Sequence, residues 1–270
     1  MSTIPTPHRM YSLGAGFRYS PYGPKHNPGA DYWTRVGQDM AGRFVGAIPE
    51  AIWIVSVLEG SGTHLTFPGE SAEPGISFSL EDQNQIFLDR CDHLGYRVWL
   101  QVEPGDAKVE TLIDLVLNRY GAHPCVVGLG ADVEWHHSSE EPEGIPVTDE
   151  EAASWLKTIR RHNGRYSLFL KHWETRMLPP SLHEGLLFVD DSQMFSSLEH
   201  MLVEFARWGE HYYPAPVAFQ VGYPADKKWW GDLHDPASVI GKAILKRVPN
   251  TAGLFWVDFS ALDVFPPQVG

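Results

Sequence analysis

The chain has 270 residues, 43% of them hydrophobic and 20% charged, and its 34 acidic and 21 basic side chains leave a formal charge of −13. This composition supports a folded core rather than a disordered chain. There is no apolar run of 18 residues for a membrane-spanning helix, and the acidic field argues against a nucleic-acid backbone as partner. Residues 1–9 lack the apolar centre of a signal peptide, so a cytoplasmic location is expected.

In chain order, short apolar runs alternate with amphipathic segments. The first run, residues 13–19, precedes a helix expected over 31–44, with Trp33, Val36, Met40 and Phe44 near helical spacing. The second run, 51–58, leads into a stretch rich in Gly, Ser, Pro and Glu, expected as a long loop over about 59–78 near the functional end. A helix over 80–94 follows, with Ser79 as its N-cap. The third run is 97–102, followed by a helix over 107–120 behind Asp106. The fourth run, 126–133, precedes a helix over 149–162, where Thr148 and Glu151 form a capping box and Asn163-Gly164 a stop. The fifth and sixth runs, 166–171 and 186–190, are joined by a segment too short and Pro-interrupted for a full helix. A helix over 198–208 behind Ser196, the seventh run 217–221, a helix over 236–247 behind Asp235 and the eighth run 253–258 complete the pattern.

Runs this short, β-branched and continuously apolar are strands buried on both faces of a parallel sheet. Eight of them with helical crossovers over about 250 residues predict an α/β fold, a single (β/α)8 TIM barrel forming one domain. A doubly wound open sheet is the competitor. The first run leads into Tyr22-Gly23-Pro24, without the G-x-G-x-x-G turn of a dinucleotide-binding sheet.

Barrel chemistry gathers where strands finish. The ends of the eight runs supply Arg18, Glu59, Glu103, Asp132 with Glu134, Lys171, Asp190, Gln220 with Tyr223, and Asp258. Asp132 and Glu134, two apart on one strand, face the same way. Two close carboxylates disfavour joint ionisation and raise the pKa of one. A carboxylic acid kept protonated near neutral pH is what protonating a glycosidic oxygen requires.

The segment Val127-Gly128-Leu129-Gly130-Ala131-Asp132-Val133-Glu134-Trp135 resembles the fourth-strand signature D-G-x-D-x-D-x-E of the chitinase and endo-β-N-acetylglucosaminidase family. Gly128, Asp132 and Glu134 match, whereas Val127 and Gly130 stand where that family has acids. Gly253-Leu254-Phe255-Trp256 is similar to its last strand, whose Trp floors the sugar site, and the short D-x-E also resembles that of muramidase-type lysozymes. The resemblance implies a retaining glycoside hydrolase with Glu134 as general acid/base and Asp132 assisting attack by the substrate's own N-acetyl group. Glu103, Asp190 or Asp258 is the alternative nucleophile.

Trp135, Trp173, Trp229, Trp230 and Trp256 fall at or just after strand ends, where indole faces suit sugar rings. The candidate substrate-binding set is therefore Glu103, Trp135, Lys171, Trp173, Asp190, Gln220, Tyr223, Trp256, Asp258 and Arg18, with a carbohydrate as partner and no cofactor or metal. Two other function classes compete. One is a sugar isomerase or lyase holding a divalent metal on His172, Glu174, Glu103, Glu134, Asp190 and Asp258. The other is a barrel that binds glycans without cleaving them. Cys91 and Cys125 form no C-x-x-C pair and are expected as buried free thiols.

Overall fold

The computed structural model describes residues 10–267; residues 1–9, on which the signal-peptide reading rests, lie outside them. The elements run β1 (Gly14–Tyr19), α1 (Ala30–Ala41), β2 (Ile48–Ile54), β3 (Ser56–Glu59), β4 (Gly62–Leu65) and β5 (Ile76–Phe78). Then come α2 (Gln85–Leu94), β6 (Arg97–Val102), α3 (Val109–Tyr120), β7 (Val126–Asp132), α4 (Asp149–His162) and β8 (Ser167–Lys171). Next are β9 (Leu186–Asp190), α5 (Leu198–Tyr212), β10 (Val217–Val221), α6 (Lys227–Trp230), α7 (Pro236–Arg247), β11 (Thr251–Val257) and α8 (Ala261–Val264).

Eight parallel strands close into a barrel in the order β1-β11-β10-β9-β8-β7-β6-β2. This is the expected (β/α)8 barrel. Each strand buries alternate residues on opposite faces. Ile52, Trp99, Phe169, Leu187, Val189, Ala218 and Phe255 fill the inside of the barrel as one cluster. The intervening residues, such as Trp53, Leu100, Leu170, Phe188, Phe219 and Trp256, pack in the shell beneath the helices. Among the described residues no helix is long and apolar enough to cross a membrane.

Two segments differ from the sequence expectation. The run 51–58 splits into β2, a barrel strand, and β3, which pairs with β4 and β5 in a separate three-stranded sheet. The loop expected over 59–78 thus carries β4 and β5, with residues 66–75 between them in no regular element. The helix expected to begin at residue 80 begins at Gln85. Asp82 accepts from the backbone N–H groups of Asn84 (2.9 Å) and Gln85 (3.0 Å), which satisfies that helix end. Asn84 turns inward, accepting from Trp53 Nε1 (2.8 Å) and donating to Tyr120 Oη (3.0 Å), so the segment before α2 anchors the sheet instead of extending the helix. Two other starts also shift. Helix α5 is capped by Ser197, not Ser196, its Oγ accepting from His200 N. Helix α3 begins at Val109 behind Lys108, with no side-chain cap from Asp106. Two caps lie where expected. The Thr148–Glu151 capping box opens α4, and the Asp235 side chain accepts from Ser238 N at the start of α7. A single 3-10 turn, Thr175–Met177, stands in place of a helix between β8 and β9.

Candidate active site

The alternation of side chains decides what reaches the C-terminal mouth of the barrel. On β9, Leu187 and Val189 point inward, so the next inward residue is Asp191, and Asp190 points outward under the helices. The structure thus corrects the sequence assignment of Asp190. It is fully buried, accepts from Ser192 N (2.8 Å), and is pushed well above the usual carboxylate range by burial, with Glu204 of α5 also raising it. Trp256 is a second correction. It is 0% exposed in the outer shell, edge-on to Trp230 and Phe265, and donates to Ser260 Oγ (3.0 Å). Fully buried there, it offers no face to a sugar.

At the centre of the mouth the Lys171 ammonium lies 2.7 Å from Asp132 Oδ2 and 2.6 Å from Asp191 Oδ2. Burial pulls Lys171 down, but the two aspartates outweigh it and hold it well above its ordinary value. Asp132, 2% exposed, also accepts from Gln101 Nε2 (3.2 Å). Burial raises its pKa well above the usual range against the pull of Lys171, and Asp191, Glu134 and Glu103 add to the rise. Asp132 Oδ1, Asp191 Oδ1, Gln101 Oε1 and Gln220 Nε2 are buried and have no hydrogen-bond partner among the described residues.

Strand β7 ends at Asp132, and a 3-10 turn, Val133–Trp135, carries Glu134. The expected pleat from Asp132 to Glu134 is therefore a turn. Even so, Glu134 feels Lys171, Asp191 and Glu103, and it is only half-buried. Its pKa is raised, first by burial and then by the neighbouring acids, against Lys171. Trp135, also half-buried, closes the turn.

Glu103, 2% exposed, stands beside this group. Its Oε2 accepts from Tyr22 Oη (2.6 Å) and from Leu58 N of β3 (2.9 Å). The extra sheet and the loop after β1 thus both fix this carboxylate. Its pKa is raised overall by burial, which outweighs the pull of Tyr22, Leu58 N, Lys171 and Arg18. On the far wall Arg18 pairs with Asp258 (2.8 Å), whose Oδ2 also accepts from Ser20 N (2.6 Å) and Ser20 Oγ (2.8 Å). Asp258 is thereby held in an ion pair and two hydrogen bonds. Tyr223 Oη donates to Gln220 Oε1 (2.9 Å).

Trp173 leaves the mouth. It stacks on His172 (4.1 Å between ring centres) and lines a surface depression beside Arg207, Trp208 and His211 of α5. The metal set imagined on the sequence is likewise not gathered. Asp190 faces the helices, Asp258 is paired with Arg18, and Glu174 is paired with Arg176. The Lys171 ammonium supplies the central positive charge. A cavity of about 730 Å³ opens at the opposite end of the barrel, where Glu50 pairs with Arg97 and accepts from Trp99 Nε1 (2.6 Å). Its carboxylate is neutralised there, far from the strand ends that carry barrel chemistry.

Sequence reading missed Asp191, Tyr22 and Gln101. Asp191 and Gln101 lie in strand-end segments already singled out, and the inward parity of their strands identifies them. Gly130 faces inward, and a Cβ there would overlap the Phe169 ring. A larger side chain does not fit at that position beside Phe169. Gly130→Ala is expected to destabilise the fold by about 1–3 kcal/mol through overpacking, measured by urea unfolding. An unchanged midpoint would show that Phe169 swings aside freely.

No family model and no curated protein matches the sequence. Three solved structures with a similar fold are glycosidases by name. A proposed α-L-fucosidase from Bacteroides thetaiotaomicron superposes with a TM-score of 0.58 at 11% identity, over 95% of this chain and 91% of that one. β-Glucuronidase 2 of Bacteroides uniformis gives 0.53 at 11% identity, over 91% of this chain and 30% of that one. A β-glucuronidase of an uncultured Clostridium gives 0.50 at 12% identity, over 92% of this chain and 43% of that one. At such identities the likeness is one of fold, and this chain spans less than half the length of the two glucuronidases.

Proposed function

We propose that this barrel is a glycoside hydrolase that retains anomeric configuration, with Glu134 as general acid/base and Glu103 as the opposing carboxylate. The observation that carries this reading is the group of four acids, Glu103, Asp132, Glu134 and Asp191, around one ammonium, that of Lys171. One ammonium amid four carboxylates leaves like-charge repulsion that, with burial, raises the pKa of Asp132 and Glu134 and so favours a protonated acid there. Glu134, half-buried and with no hydrogen-bond partner among the described residues, is placed to hand that proton to a leaving oxygen. Glu103 accepts two hydrogen bonds that, together with Lys171 and Arg18, favour the ionised form a nucleophile needs against the burial that raises its pKa. Asp132 and Lys171 lie deeper and set the field around Glu134. Asp190 and Asp258, the other nucleophiles considered on the sequence, are held in other contacts.

The B. uniformis glucuronidase is seen covalently bound to a cyclophellitol-6-carboxylate aziridine. That chemistry supplies the test. A panel of cyclophellitol aziridines, followed by peptide mass mapping, is expected to label Glu103, alongside turnover in a screen of chromogenic glycosides. Label on another carboxylate would move the nucleophile there. Cleavage of 2-acetamido glycosides alone, with no covalent label, would instead support attack by the substrate's acetamide. No turnover of any glycoside would leave a glycan-binding barrel.

The pH dependence follows from the same group. Glu134 acts as acid only while protonated, and its pKa is raised. The rate is therefore expected to fall as pH rises through that raised value, and to fall again in acid as Glu103 takes up a proton. A kcat/KM profile that stays flat from pH 4 to about pH 9 would contradict both assignments.

A further inference from the structure

The opposite, N-terminal face of the barrel carries a group of side chains that the mouth does not use. Asp92 lies near the end of α2, and His123 and Cys125 lie in the connection from α3 to β7. One ligand-type atom from each lies within 4.8 Å of the others: an Asp92 carboxylate oxygen, a His123 ring nitrogen and the Cys125 sulfur. We propose that these three side chains bind one thiophilic divalent cation of the zinc class, tying α2 to the start of β7.

The donor set is carboxylate, imidazole and thiolate, a combination suited to a borderline-soft ion. The backbone around it is fixed. Cys125 O accepts from Val98 N (2.8 Å), Val126 N donates to His123 O (3.1 Å), and His123 N donates to Tyr120 O (3.1 Å). Cys125 N donates to Asp92 Oδ1 (2.9 Å), which holds that carboxylate against the sulfur-bearing residue. Asp92 Oδ2 and His123 Nδ1 are 2.7 Å apart. Around a tetrahedral ion with metal–ligand bonds near 2.0–2.1 Å their separation is about 3.3 Å, so this pair opens by roughly 0.6 Å, and the sulfur, within 4.8 Å of both, comes to about 3.6 Å from each. Asp92 and His123 have room for this, being 20% and 11% exposed, and the same exposure gives the ion a way in and a water as fourth ligand.

The protons balance simply. With the metal on Nδ1, the ring proton resides on Nε2. That atom lies 3.1 Å from Gln85 Nε2, which also donates to the exposed Asp89 Oδ1 (2.8 Å); turning the amide gives up that bond and presents its oxygen to accept the ring proton. The thiol gives its proton to solvent, so one proton leaves per ion bound. Without a cation, burial and the neighbouring Asp92 carboxylate keep that thiol protonated. Cys91, buried nearby, is outside the group.

The test uses the whole chain, stripped with a chelator and re-equilibrated at neutral pH. One equivalent of zinc is expected to be taken from a chromophoric indicator. Cobalt(II) is expected to give a sulfur-to-metal charge-transfer band, and zinc to raise Tm. Cys125→Ser removes the band, His123→Ala and Asp92→Asn each weaken zinc binding, and Gln85→Ala weakens it by about 10-fold or more. Cys91→Ser leaves all of this unchanged. Circular dichroism confirms that each variant is folded. A folded wild-type protein with no cobalt band and no zinc uptake beyond that of His123→Ala overturns the proposal. So does a band that follows Cys91 instead of Cys125.

Discussion

Glu134→Gln is expected to lower kcat by about 10²–10⁴-fold on whichever glycoside the wild-type protein cleaves, with substrate binding and Tm preserved. The amide keeps the size and polarity of the side chain but has no proton to give. Glu134 is half-buried among Asp132, Glu103 and Asp191, and the neutral amide matches its protonated form without adding repulsion, so the fold is expected to be no less stable. A conservative swap is thus expected to separate chemistry from structure at this position. Wild-type turnover in the variant would remove Glu134 from the mechanism and send the search for the acid to Glu103 or Asp191.

Lys171→Met is expected to act on the fold itself. Its side chain is 9% exposed, and its two partners, Asp132 and Asp191, are 2% and 8% exposed. Removing one member of a buried ion pair leaves uncompensated charge behind and costs about 3–5 kcal/mol. The sign of the pH dependence follows from burial. Asp132 is held above its ordinary value even with Lys171 present, and Lys171 is the main influence lowering it. Without Lys171 the folded-state pKa rises further. A carboxyl whose folded pKa exceeds its unfolded one contributes stability below the unfolded value and loses it as pH rises through the folded value. The deficit of Lys171→Met is therefore expected to be largest near neutral pH and to shrink in acid. Urea unfolding at several pH values checks this. A deficit independent of pH would mean that lost packing, not stranded charge, sets the cost.

Much of the barrel was legible in the chain. The alternation of apolar runs with capped amphipathic segments marks the eight strands and most of their helices. The Thr148–Glu151 box and the Asp235 cap place two helix starts to the residue, because capping is a local interaction among neighbours in sequence. Residues 79–84 misled for the opposite reason. Asp82 and Asn84 are cap-type residues, yet Asn84 spends its side chain on Trp53 and Tyr120, contacts that exist only once the sheet and α3 have packed.

The site divides along the same line. By itself the sequence determined that acids gather at the strand ends and that Asp132 and Glu134 belong to one of them, since both facts depend on residue type and short spacing. Only the tertiary structure decided which residues of each strand face inward. Strands in a parallel barrel are apolar on both faces, so the period-two pattern that reveals the buried side of an exposed sheet is absent. Inward parity chose Asp191 over Asp190 and put Trp256 into the outer shell. Closure of the ring then brought Glu103, Asp132, Lys171 and Asp191 from four different strand ends into one charge cluster. Their mutual distances are set by barrel geometry and by no spacing along the chain.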